Sequence, residues 1–191
     1  EMFFMNFNPA LKSSVWPTGF NRTLAHEFQH MIHWEQKTHF KFLVDATWLN
    51  EAMSEVAPTY LYGPNYGRIK NYEQAPSDSL TVWNDSIDDY GIAYMWSQYF
   101  KDRFDPGNTG EIFSGIMQQN STGITSVDDT LATVAPTKTF ASTFSDLAIA
   151  IVSGNTMNWP SHPEWSYISI DTKADGYLPG LVITTTANKN L

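Results

Sequence analysis

The sequence predicts one mainly helical α+β domain, with a strand at its N-terminal end and a short β-rich tail at its C-terminal end. Three observations carry that prediction. The chain has 191 residues, 42% apolar and 15% aromatic, enough for a single sizeable core. Its middle is a succession of segments with apolar residues at helical spacing, punctuated by Pro, Gly and Asn. Its two ends carry instead short aromatic or β-branched runs bounded by turn residues. Residues 1–158 are expected to form the body of the domain and 159–191 a β-rich extension of it.

Taken in order, residues 1–8, with Met2, Phe3, Phe4, Met5 and Phe7 ahead of Pro9, predict the strand. Leu24, Phe28 and Met31 then make an apolar stripe that predicts a helix over 23–36, capped by Asn21 or Thr23. Leu49, Met53, Val56 and Tyr60 predict a second helix from about Thr47, shortened or kinked by Pro58. Residues 61–87, rich in Tyr, Gly, Pro, Asn and Ser, read as a long aromatic loop bordering a site. A third helix runs from Asp88 or Asp89 through Ile92, Trp96, Tyr99 and Phe100 to the Asp105-Pro106-Gly107 stop. Two or three more are expected, at about 109–119, at about 126–135 opened by Ser126 with Asp129 three positions on, and at about 139–153 closed by Gly154. Tyr167 to Ile170 and Leu181 to Thr185 read as strands.

Composition excludes several classes. With 11 basic and 20 acidic residues the net charge is −9, which repels phosphate backbones and anionic lipid surfaces alike, so no nucleic-acid partner is expected. No run approaches the ~20 consecutive apolar residues of a membrane span. The absence of Cys removes disulfides, thiolate zinc sites and Cys nucleophiles together, leaving His, Asp and Glu as the strong metal ligands. Asn-x-Ser/Thr matches at Asn21, Asn84 and Asn120 are no more than chance supplies in so Ser/Thr-rich a chain. The start at Glu1 rather than Met leads us to expect a mature or trimmed piece with an upstream segment removed.

His26-Glu27-Phe28-Gln29-His30 fits H-E-x-x-H inside a segment already read as helical. At about 100° per residue, His26 and His30 lie about 40° apart and one turn along the axis, so both imidazoles can reach one cation. Glu27 sits beside that face, near enough to act as a base toward an attacking water without being a ligand. A catalytic zinc site usually takes a third protein ligand. The metzincin continuation needs Gly at 33 and His at 36, where this chain has His33 and Gln36, and the inverted H-x-x-E-H pattern is absent. His33 itself lies too far along the axis to join a single-helix site and is assigned a role either supporting a ligand or as a buried, hydrogen-bonded histidine. Trp48-Leu49-Asn50-Glu51-Ala52-Met53-Ser54-Glu55 follows, with Glu51 21 positions after His30, a spacing that allows helix, turn and returning helix.

Asn50, Glu51, Ser54 and Glu55 match the Asn-Glu-x-x-Ser-Asp/Glu motif of the gluzincin zinc peptidases, whose thermolysin-like active sites take their third ligand from it. The wording His-Glu-Phe-Gln-His-Met-Ile-His-Trp followed by Trp-Leu-Asn-Glu resembles most the bacterial hyicolysin-type secreted peptidases. The resemblance implies a zincin-like catalytic domain over 1–158, made of an edge strand, an active-site helix, a glutamate helix and a helical lower subdomain. It implies one zinc ion held by His26, His30 and Glu51, Glu27 as the base that polarises water, and Asn50 and Glu55 as supports of the ligands. It implies Tyr90 as oxyanion donor, with Tyr94 and His162 as alternatives. The substrate backbone is expected to pair with the edge strand at Phe4, Met5 and Asn6. A polypeptide substrate and a secreted or cell-surface location in a bacterium follow from the same resemblance.

Two other readings stay open. One is a gluzincin aminopeptidase, although residues 1–25 hold nothing like its Gly-x-Met-Glu-Asn anchoring motif. The other is an inactive, metal-stabilised module binding peptide or glycan on an aromatic platform of Tyr60, Tyr62, Tyr66 and Trp83. A merely structural zinc site would not need Glu27.

Overall fold

The computed structural model describes residues 17–153 and 160–170. Among them the elements are helical: α1 (Thr18–His33), continued by a π-helical turn (Trp34–His39), α2 (Thr47–Val56), a short α3 (Thr59–Tyr62), α4 (Tyr66–Gln74), α5 (Ile87–Phe104), α6 (Glu111–Gln118), α7 (Gly123–Val134), α8 (Phe140–Ser153) and a 3₁₀ turn at Pro163–Trp165. No strand occurs among the described residues. The N-terminal strand, with Phe4, Met5 and Asn6, and the Leu181–Thr185 segment lie outside them.

The core is built around α5. Every residue from Gly91 to Asp102 is buried, so this helix shows no polar stripe and runs through the middle of the domain. It starts with a capping box: the Ser86 hydroxyl accepts from the Asp89 backbone N–H while the Asp89 carboxylate accepts from the Ser86 N–H. Trp48 of α2 packs edge-on to Trp96, which stacks on Phe100, and Phe140 of α8 closes the cluster. α4 lies against α5 so closely that a Cβ on Gly91 would stand 2.6 Å from the Tyr72 backbone nitrogen. Glycine at 91 is therefore a packing requirement of the α4–α5 contact.

Several boundaries differ from the sequence expectation. α1 begins at Thr18, so Asn21 and Thr23 lie inside it; the Thr23 hydroxyl donates back to the Gly19 carbonyl instead of capping. Its expected apolar stripe is not its inward face: Leu24 is 37% and Phe28 56% exposed. The face turned to α2 carries His26, His30 and His33 instead. Pro58 does end α2, and α3 stops at Gly63, whose φ of +71° suits glycine. The 61–87 stretch is not all loop, because α4 occupies Tyr66–Gln74 with Ile69 and Tyr72 buried against α5. α7 starts three residues early at Gly123; the Ser126 hydroxyl donates to the Gly123 carbonyl, and Asp129 accepts from the Ser121 hydroxyl. Tyr167 to Ile170 is not a strand. The Asp102 carboxylate takes the backbone N–H groups of Ile168 and Ser169 that a neighbouring strand would otherwise have satisfied. Tyr167 is buried and its hydroxyl donates to the Met95 carbonyl, fixing the 160–170 segment to α5.

Candidate metal centre

α1 and α2 pack side by side, and the site lies on their shared faces. The Nε2 atoms of His26 and His30 stand 3.0 Å apart, and Glu51 Oε2 lies 3.6 Å from the first and 3.4 Å from the second. The rings are nearly perpendicular, at 79°. One ligand atom from each of the three residues falls within 4.8 Å of the others, an arrangement able to hold one metal ion.

The surroundings fix which nitrogens are free. His30 Nδ1 lies 3.1 Å from Asn50 Oδ1 and 3.0 Å from the Ser54 hydroxyl, so the proton of a neutral ring sits on Nδ1. His26 Nδ1 faces Glu55 Oε1 at 3.4 Å, which assigns that ring the same tautomer. Both Nε2 lone pairs then point into one space beside Glu51 Oε2, a buried oxygen with no hydrogen-bond partner. Two lone pairs and an anionic oxygen converging without a donor fit a cation.

The electrostatics treat the two rings differently. Burial, with His30 beside it, lowers the His26 pKa to about 4, so that ring is neutral at pH 7. Burial also opposes charge on His30, but the adjacent Glu51 carboxylate outweighs it and raises this ring above the usual histidine value. Glu55, with a side chain only 3% exposed, is gripped by both ends of the Arg68 guanidinium at 2.7 and 2.6 Å. Burial pushes the Glu55 carboxyl up and this pairing opposes the rise. The same guanidinium lies 4.6 Å from the centre of the Tyr90 ring, which also meets Trp83 edge-on.

Tyr90 sits on the first turn of α5 and is half-buried. Burial and the negative charges of Glu51 and Glu55 raise its pKa, so the phenol keeps its proton. Of the alternatives, Tyr94 is fully buried, its hydroxyl donating to Gln98 and accepting from the Asn65 N–H. His162 stacks on Trp165 and pairs with Glu164. Glu27 lines a cleft of about 470 Å³ together with His30, Asn50 and Glu51, and with His33, Trp34 and Val44. The expected aromatic platform is engaged piecemeal: Tyr60 donates to Asp105, Tyr62 lies under Arg22, and Trp83 packs on Tyr90.

No family model matches the chain. It is 33% identical over 131 residues to the neutral metalloprotease ShpI of Staphylococcus hyicus. The relationship is to a metallopeptidase. The matched region covers 62% of this chain and 30% of that protein, so the chain spans less than a third of the relative's length. No described helix is long and apolar enough to cross a membrane.

Sequence reasoning missed Arg68, because it lies in the segment read as loop. It also missed Asp45, which binds His33 Nε2 at 3.0 Å and the backbone N–H groups of Ala46 and Gly123. Asp45 thereby ties the end of α1 to the start of α2 and to α7, and supplies the buried partner expected for His33. A signal for Arg68 was present: a glycine amid the bulky residues of α5 marks the close approach of another backbone.

Proposed function

We propose that the chain is the catalytic part of a zinc endopeptidase, with His26, His30 and Glu51 as metal ligands and Glu27 as general base. The observation that carries this reading is the convergence of two imidazole Nε2 atoms on a buried carboxylate oxygen of Glu51. Zinc in that position supplies a Lewis acid for a peptide carbonyl and lowers the pKa of water.

The chain's own groups supply the rest. Glu27 accepts the proton of the attacking water and returns it to the departing amine, so the carboxylate is regenerated. Tyr90, kept protonated, donates to the oxygen that gains negative charge as the carbonyl is attacked. Asn50 and Glu55 hold His30 and His26 in the tautomer that leaves Nε2 free, and Arg68 holds Glu55. The assignment to gluzincins rests on Asn50, Glu51, Ser54 and Glu55, and an extended polypeptide is the substrate. A secreted or cell-surface setting in a bacterium belongs to the same reading.

Glu27→Gln tests it, keeping size and helix but removing the base. The variant should fold, carry as much zinc as the parent and cleave casein about 10²- to 10⁴-fold more slowly. Equal cleavage by the two, from preparations free of contaminating protease, overturns the reading.

A further inference from the structure

Between α1 and α2 the chain holds three large apolar side chains out in water. Phe40 is 61%, Phe42 89% and Val44 84% exposed. Phe42 also has a φ of +57°, in the left-handed region, and it ends the helical run at the position where glycine is usual. A bulky residue there is strained, so exposure and backbone both cost free energy at one residue. The segment is nevertheless fixed. The Phe42 N–H donates to the Thr38 carbonyl at 3.1 Å, the Leu43 N–H to the Lys37 carbonyl at 2.9 Å, and the Thr38 hydroxyl to the Leu43 carbonyl at 3.1 Å. Trp34 and His39, one π-helical turn apart, stack at 5.4 Å, and His39 stacks on Phe40 at 5.2 Å.

This apolar surface is continuous with the candidate active-site cleft. Trp34 and Val44 line that cleft together with Glu27 and His30, so the ring stack and the Phe42–Val44 turn both lead outward from its rim. The segment's own basic groups are engaged elsewhere. Lys37 Nζ donates to the Gln119 and Ser121 carbonyls at 3.2 and 2.7 Å, Lys41 Nζ to those of Met117 and Gln119 at 3.2 and 3.0 Å and also to that of Gln118, and His39 pairs with Glu35. None of them is left to meet a lipid phosphate, and the net charge of −9 opposes an anionic membrane. We propose that Phe40, Phe42 and Val44 form a rigid ledge that docks an apolar stretch of the polypeptide substrate beyond the residues held in the cleft. This rests on the reading of the chain as a peptidase, and it makes unfolded, apolar-rich polypeptides the preferred substrate class. Because the ledge is already ordered, little conformational entropy is lost when a chain settles on it.

The probe is fluorescein-labelled casein, an unfolded polypeptide. With zinc-loaded protein, Phe42→Ser should raise KM about tenfold and leave kcat within about twofold, because the ledge holds ground state and transition state alike. In the Glu27→Gln background, where turnover is suppressed, fluorescence anisotropy should show the same roughly tenfold loss of casein affinity. Phe42→Gly should melt no lower than the parent, since glycine takes up a φ of +57° freely, yet bind casein as weakly as Phe42→Ser. That pairing of retained stability with lost affinity sets docking apart from general damage to the fold. A parent that cuts no casein defeats the peptidase reading alone, because the anisotropy measurement decides the ledge without turnover. Equal casein affinity in the parent and in Phe42→Ser overturns the proposal. It does so equally if Phe42→Ser instead abolishes binding to phosphatidylcholine vesicles, or converts a dimer to a monomer on gel filtration, which would assign the surface to a membrane or to a second copy of the chain.

Discussion

Replacing Arg68 by methionine separates two roles that the structure gives to one side chain. Arg68 is 23% exposed, whereas the Glu55 it grips is 3% exposed. Removing the guanidinium therefore strands a buried carboxylate. Breaking a buried ion pair costs roughly 3–5 kcal/mol, and the partial exposure of Arg68 places this case at about 3 kcal/mol or somewhat below. Glu55 also loses the clamp that aims Oε1 at His26 Nδ1, and loss of such a support typically weakens metal binding by about 10- to 100-fold. Urea unfolding of the metal-free chain reads the first effect and competition with a chromogenic chelator the second. Glu55→Gln combined with Arg68→Met should recover most of the stability, because no charge is left buried. An Arg68→Met variant as stable as the parent would refute the reasoning.

Gly91→Ala adds a Cβ 2.6 Å from the Tyr72 nitrogen and 2.9 Å from its Cα, atoms of a backbone that can yield only by moving α4. Overpacking costs of about 1–3 kcal/mol outweigh the gain of up to about 1 kcal/mol from replacing a helical glycine, so chemical denaturation should show a net loss; a more stable variant would contradict the packing account. Burial opposes charge on Asp45, but hydrogen bonds from His33, Gly123 and Ala46 prevail and lower its pKa below 3.8. A lowered acid contributes stability that is complete above its unfolded value and lost as pH falls through the folded one. Asp45→Asn should thus be less stable than the parent at pH 7, by about 1–3 kcal/mol, and the gap should narrow below pH 4 in melting curves taken across that range.

The residues of the candidate metal centre could be grouped from the sequence because helical geometry converts spacing directly into distance. His26 and His30 are one turn apart on any α-helix, and Asn50, Glu51, Ser54 and Glu55 share one short helix. What spacing does not reveal is which face of a helix turns inward. Leu24 and Phe28 suggested a buried stripe on α1, but the face against α2 is polar and carries the candidate ligands His26 and His30. α4 was hidden for a related reason. Only Ile69 and Tyr72 face the core, and Gly67, Arg68, Lys70 and Asn71 give the segment the composition of a loop. Its helix depends on a tertiary contact with Gly91 that no local pattern records. The Tyr167–Ile170 segment has strand-forming residues, yet the Asp102 side chain replaces the neighbouring strand.

The measurement that bears most directly on the central claim is zinc stoichiometry and affinity in the purified parent and in Glu51→Ala. The parent should bind one zinc per chain, and the variant, left with two imidazoles, should lose the metal on dialysis while keeping its helical circular dichroism. A folded Glu51→Ala variant that retains one tightly bound zinc would contradict the assignment of His26, His30 and Glu51 as a single metal centre.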